Sequence, residues 1–460
     1  MKLLKILSRI GLVLLIVVAA VVVFRAILNY TEGRALSRAL ARLKAEGVPL
    51  TAKELATACP DEDNAARLWK AFENIVTIPG RAAGNQASRS RRDKVAVGKL
   101  IGRAWTDFTS GRPLAQADKA ALRDVILENR KAFELLTQMG DKPCFLYRDP
   151  AGPLLESLTP SAIQSMQTAK LLCFAAILSA EDGDMGGAVD RLVTGLKFAP
   201  LMAREGTLIA FLVPLAETRL LAWFAGEAAR GRAIGEADLD RLMNALDPGP
   251  WRERLAWAFR GERVMSVEMG QYALRGGLND LGSVYEGRSW LRNLGLWVIR
   301  PLIMRDIRYN LPEYGFLETQ AKAPYYRSRE PLRARQLELD RRPWYAYWSK
   351  LLIDNFEVVF MKEALTEATL LAARTGLACR LYRSRVGSYP GSLGALVPGI
   401  LKEVPVDPFT GQPFVYRRDG EGFIVYSLGS NQKDDGGRST YMITQLVMEK
   451  DDDVPWRETR

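Results

Sequence analysis

The chain has 460 residues, 48% hydrophobic and 25% charged, with a formal net charge of +11 and no histidine. That length and balance let it bury a sizeable core and argue against global disorder. The missing histidine excludes Ser-His-Asp triads, Cys-His pairs, histidine-containing zinc sites and the usual proton shuttle near neutral pH, leaving Asp, Glu, Lys, Ser, Tyr and Cys as chemical groups.

Residues 10–24 read IGLVLLIVVAAVVVF, behind Lys2, Lys5 and Arg9. Extended past Arg25 by Ala26, Ile27 and Leu28, and with Arg9 and Arg25 snorkelling, about 20 residues cover the hydrocarbon thickness of a bilayer. Residues 1–30 are therefore predicted to be a retained transmembrane anchor, with the lipid bilayer as partner. A cleaved signal peptide is the alternative, resting on the small residues Ala19-Ala20. The positive flank predicts a cytoplasmic N-terminus. The expected location is the cytoplasmic (inner) membrane, single-pass, with the bulk in the periplasm or at the cell exterior.

Residues 31–273 are expected to form a helical body. The stretch 31–48 carries Leu36, Leu40 and Leu43 on one side and ends at Gly47 and Pro49. In DEDNAARLWKAFENI the early acids suit a helix start, and Ala65, Leu68, Trp69 and Phe72 supply an apolar stripe. Further helices are predicted at 117–139, 159–180, 187–198, 206–226, 236–246 and 251–273. The EDGD turn at 181–184 makes a helical hairpin of two of them. No tetratricopeptide-type repeat recurs. The apolar stretch 207–215 is followed by Glu217 and Arg219 and reads as a buried helix. The basic run SRSRRDK at 88–94 has no aromatic platform interleaved with it, which argues against a nucleic-acid partner.

Residues 274–347 are rich in Gly, Pro, Asn, Arg and Tyr. Pro301, Pro312, Pro324, Pro331 and Pro343 break the periodicity, so an irregular proline-rich wrapping region with a short helix at 291–306 is expected. Residues 348–386 return to helical spacing as one long helix. The predicted fold class is mainly α: an N-terminal transmembrane helix, a multi-helix body with helical hairpins, and a small C-terminal antiparallel β module after the long helix.

That module spans 387–460. Asp407-Pro408 and Thr410-Gly411 mark turns, and strands are predicted at 412–418 and 423–428 around Asp419-Gly420-Glu421-Gly422. A lone hairpin is marginal, so its aromatic face is expected to cover the end of the long helix. Of the four cysteines, Cys173 and Cys379 lie in apolar helical surroundings and are expected in the core. Cys59 and Cys144 lie beside polar turns and can form one disulfide in an oxidising compartment.

LYRSRVGSYPGSLGALVP and then VPVDPFTGQPFVYRRDGEGFIVYSLGSNQKDDGG resemble the globular end of type II secretion major pseudopilins. Tyr389-Pro390, Asp407-Pro408, Tyr416, Tyr426-Ser427-Leu428-Gly429 and residues 434–437 carry the resemblance. It implies a Tyr-Pro turn, a small antiparallel sheet and a glycine-rich acidic loop that holds calcium in that class. Asp434 and Asp435, with Asn431, Ser430 and backbone carbonyls, are the candidate calcium ligands, and Gly436 and Gly437 allow the bend. An Asx-rich surface turn is the alternative reading. The chain departs from pseudopilins in having a large body between its anchor and the long helix and no prepilin-type cleavage motif. As a whole it resembles uncharacterised membrane-anchored proteins of planctomycete-type bacteria, which share an NAA-containing N-terminal segment and a YSLG…DDGG ending.

The expectation for function is a membrane-anchored extracytoplasmic scaffold or interaction protein with an envelope protein partner. One alternative is an envelope polysaccharide hydrolase using paired carboxylates such as Asp182/Asp184 or Glu253/Glu262. Another is an accessory component of a type II secretion-like or type IV pilus-like system. No residue is singled out as catalytic.

Overall fold

The computed structural model describes residues 2–78, 88–147, 152, 162–274, 289–341, 356–439 and 453–458. Among these, fourteen α-helices precede one three-stranded sheet.

The first helix, α1 (Lys2–Ala45), is unbroken. No glycine or proline interrupts the chain between the apolar run and residue 31, so the membrane-type segment passes directly into the amphipathic one. Its apolar run is exposed throughout, from Ile10 at 52% to Phe24 at 63%. Further along, Leu36 is buried in a cluster with Val267, Ile303, Met304, Ile307 and Leu311. One helix therefore has a bare end and a packed end.

After the single turn α2 (Ala52–Leu55), α3 (Ala65–Ile75) starts at Asn64, whose side chain accepts from the Ala66 amide. Next comes α4 (Ser88–Thr109), a helix that the basic start of its sequence masks. Val97, Leu100, Ile101, Ala104 and Trp105 give it a buried stripe at helical spacing. The single helix expected at 117–139 is two, α5 (Gln116–Glu128) and α6 (Arg130–Gly140). Asn129 divides them because its buried amide is committed elsewhere: Oδ1 accepts from the Thr77 amide at 3.0 Å and Nδ2 donates to the Val125 carbonyl at 2.8 Å.

The centre of the body is α7 (Ala162–Glu181), α8 (Met185–Met202) and α9 (Leu208–Ala229). Gly183, at φ 85°, turns the chain between α7 and α8, and Asp184 caps α8 through the Gly187 amide. By length and composition α1, α7 and α9 could each cross a membrane. Only α1 is bare; Leu171, Phe174, Phe211, Leu221 and Phe224 put α7 and α9 in the core. Then follow α10 (Glu236–Ala245) and α11 (Trp251–Leu274).

Where it is described, the region expected to be irregular is helical; residues 275–288 and 342–347 lie outside the described residues. α12 (Ser289–Ala321) contains Pro301 and Pro312, and α13 (Tyr325–Asp340) contains Pro331. An interior proline costs a helix about 3 kcal/mol. Here Ile303, Met304, Ile307, Leu311, Tyr314 and Leu317 are all buried. Each large apolar side chain returns roughly 1.5–3 kcal/mol, which outweighs the prolines. Arg335 grips the buried Glu313 with two bonds of 2.7 Å, fastening α13 to α12. Pro343 and residues 348–355 of the expected long helix lie outside the described residues; the described part is α14 (Phe356–Val386).

The sheet has β1 (Val415–Asp419), β2 (Gly422–Ser427) and β3 (Val454–Arg457) in the order β1-β2-β3, all antiparallel. β3 is a third strand that the sequence reading did not contain. Its Pro455 sits opposite Tyr426, tolerated because β3 is an edge. Tyr389, Phe423 and Trp456 form an aromatic chain, with ring centroids 4.7 Å and 5.3 Å apart, on the side facing α14.

Candidate functional site

Of the residues named as calcium ligands, Asn431 and Asp435 are bonded to each other and Asp434 is bonded to the sheet. Asn431 Nδ2 donates to Asp435 Oδ2 at 2.8 Å, and Asn431 Oδ1 accepts from the Lys433 amide at 2.9 Å. Asp434 Oδ1 accepts from the Gly436 amide at 2.9 Å and from Tyr426 Oη at 2.8 Å. Those two bonds hold the Asp434 carboxyl below its ordinary range. Ser430 lies in the same turn. Among the described residues, no group of three or more Asp, Glu, Cys or His side chains is placed to hold a metal ion. The described arrangement is that of a self-closed Asx-rich loop.

A residue absent from the sequence reading completes the loop. Asp453, fully buried just before β3, accepts from the Gly437 amide at 2.7 Å, while its Oδ1 has no hydrogen-bond partner. Burial, with Asp435 and Asp434 nearby, pushes its carboxyl up to about 6. It borders a cavity of about 280 Å³ between the module and the helical body, lined also by Arg219, Trp223, Glu227, Arg230 and Trp456. Glu227 and Arg230 pair at 2.6 Å within it. Only tertiary folding brings these groups together, since they come from α9 and its C-terminal end and from the segment at β3.

A second cavity, of about 430 Å³, has the cysteines in its wall. Cys59 and Cys144 are joined as a disulfide, with Cα atoms 6.0 Å apart. Asn64 fixes the same wall: besides capping α3, its side chain accepts from the Leu146 amide and donates to the Leu146 carbonyl, both at 2.9 Å. Opposite stand Arg204, Arg254 and Trp257. Arg204 donates to the Pro143 carbonyl. Arg254 lies 4.8 Å from the centroid of Trp251, and its Nε has no hydrogen-bond partner. Burial and the charge of Arg204 lower the Arg254 guanidinium to about 10, so it stays cationic at neutral pH. Asp63 and Glu253 supply the acidic part of the lining.

The carboxylate pairs considered for hydrolysis have structural partners. Asp182 pairs with Arg123 at 2.7 Å, and Asp184 is the α8 cap. Glu262 accepts from the Leu208 amide at 2.8 Å, satisfying the start of α9, and burial raises it to about 7. Glu253 is exposed at the cavity beside Arg254. Cys173 and Cys379 are buried free thiols, both pushed up by burial, which disfavours the reactive thiolate.

Compared with protein-family models, curated proteins and solved structures, the chain matches none.

Proposed function

We propose that this protein is a membrane-anchored interaction protein whose body lies outside the cytoplasm. The observation that carries the reading is α1. Its first part is long and apolar enough to span a bilayer and is bare, while its continuation is packed into the body without a break. A flexible tether would let the body roam; a continuous helix holds it against the membrane in one orientation. Lys2, Lys5 and Arg9 favour an N-terminus in the cytoplasm. The Cys59–Cys144 disulfide supports an oxidising compartment for the body. The C-terminal module, with its pseudopilin-like sequence, is the surface we assign to an envelope protein partner.

The test is fractionation of cells expressing the full chain, followed by carbonate and detergent extraction and protease treatment of spheroplasts. The protein should stay with membranes in carbonate, leave them in detergent and be cut by external protease in intact spheroplasts. Recovery in the soluble fraction would overturn the anchor. Protection until the spheroplasts are lysed would overturn the orientation.

A further inference from the structure

We infer that α12 is a second membrane-contacting element: residues 289–299 enter the leaflet on the body's side, next to α1, and Arg25 clamps them there. The inference rests on reading α1 as a membrane span and goes beyond it, because nothing in a single-span topology requires a second helix to touch lipid.

The first argument is register. Arg25 meets Trp297, Glu32 meets Arg308 at 3.0 Å, and Leu36 shares a cluster with Met304, Ile307 and Leu311. Residue numbers rise together on both helices, so α1 and α12 run parallel. The residues of α12 that precede Trp297 therefore lie on the side of Arg25 where α1 has its bare apolar run. At about 1.5 Å per residue, the start of α12 reaches roughly 12 Å past the Arg25 level toward the bilayer interior.

The second argument is the clamp itself. In an α-helix the carbonyl of residue 297 accepts from the amide of residue 301, and here that residue is Pro301, which has none. Arg25 takes the place of the absent amide. Its Nε donates to the Trp297 carbonyl at 2.8 Å, its Nη2 donates to the same oxygen, and its guanidinium carbon lies 4.0 Å from the Trp297 ring centroid. A cation at the end of an apolar span and a carbonyl without its helical donor each carry a large desolvation cost in lipid. Each removes the other's.

The third argument is composition. Residues 289–299 read SWLRNLGLWVI, the mix of apolar, tryptophan and a few polar residues found in interfacial helices. Trp297 and Ile299 are 37% and 40% exposed, although both are large and apolar. Tyr30, 61% exposed, and the exposed Arg300 join Arg25 and Trp297 near one level, as an aromatic and basic belt at a headgroup boundary.

The experiment reconstitutes the full chain in phosphatidylcholine vesicles containing a minority of anionic lipid. Three variants, Ile299→Cys, Ile16→Cys and Leu337→Cys, are labelled with an environment-sensitive fluorophore and quenched by lipids with nitroxides on their acyl chains. Ile16 is the span reference. Leu337 is the aqueous reference, on exposed α13 near the Arg335–Glu313 pair and far along α12 from Trp297. We expect quenching at position 299 to be several-fold above that at 337 and below that at 16, which lies deeper in the span, and to fall when Arg25→Leu is added. Position 299 behaving like 337 while 16 is quenched would overturn the inference and leave the anchor standing. No quenching at 16 would overturn the anchor reading itself. Quenching at 299 unchanged by Arg25→Leu would overturn the clamp.

Discussion

Trp456 stands against Gly376 so closely that a Cβ built on that glycine would lie 2.3 Å from the indole Cδ2. On the other side a Cβ on Gly226 would lie 2.7 Å from the indole Nε1. The last strand thus docks by placing one tryptophan between two glycines of α9 and α14. Gly376→Ala should cost about 1–3 kcal/mol by overpacking, and Trp456→Ala about 3–5 kcal/mol by leaving a cavity. Urea unfolding of the full chain in detergent measures both. Stabilities equal to the parent would mean that the indole does not fill this gap.

Arg25 and Pro301 should be energetically coupled, because each determines what the Trp297 carbonyl accepts from. Pro301→Ala restores a helical donor, so the loss caused by Arg25→Leu should shrink in that background. A double-mutant cycle on unfolding in detergent should give a coupling of about 1 kcal/mol. Strict additivity of the two substitutions would contradict the shared acceptor.

The Cys59–Cys144 disulfide closes a loop with a sequence separation of 85. Joining Cys59→Ser with Cys144→Ser, or adding reductant, should remove roughly 2–5 kcal/mol of stability. The effect should be the same for both treatments, since Cys173 and Cys379 are buried and free. A thermal midpoint indifferent to reductant would show that the bond is not formed.

Buried acids give the protein a pH dependence of predictable sign. Burial raises Glu217 to about 8, with Ser165 Oγ donating to it as a partial offset, and raises Glu262 to about 7. A raised carboxyl binds its proton more tightly in the folded state. Its contribution is complete below the unfolded value of 4.5 and is lost as pH rises through about 7 to 8. Stability should fall across that window by at most about 1.4 kcal/mol per pH unit per group. Glu217→Gln with Glu262→Gln should flatten the decline; an unchanged slope would mean that both are ionised in the fold.

Arg254 carries a charge that burial and Arg204 both disfavour. Arg254→Met keeps the bulk against Trp251 and removes the charge, so the unfolding temperature should rise. A fall would show that the guanidinium has a stabilising partner.

Periodicity made much of the body legible. The helices near 187–198, 236–246 and 251–273 appear close to their expected places because their signals, caps and apolar spacing, act within a few residues of one another. Where a local signal competed with burial, burial won. Pro301, Pro312 and Pro331 read as breakers, yet α12 and α13 persist through them because one face of each buries enough apolar surface. The basic start of α4 concealed a helix whose apolar stripe begins only at Val97. At Asn129 the chain breaks where its periodicity continues, because a buried amide is bonded to Thr77.

The C-terminal loop shows the same division at a site. Asp434, Asp435 and Asn431 were visible as a cluster because they are neighbours in sequence. Asp453 was not, because it reaches Gly437 only through the pairing of β3 with β2. Trp456 likewise carries no local signal; its place is set by Gly226 and Gly376 on either side of it.

The amino-acid order by itself determined the bare apolar helix at the N-terminus, the helical class of the body and the hairpin near the end. Those follow from hydrophobic spacing and turn chemistry over a few residues, which no distant contact is needed to read. Cys59 and Cys144 were legible as a pair, and the structure joins them; the tertiary structure alone decided that α1 continues into the core and that Arg25 serves the carbonyl left by Pro301. Each is a contact between groups far apart in the chain: Leu36 is buried among apolar side chains of α11 and α12, and Arg25 meets a carbonyl that has lost its helical donor.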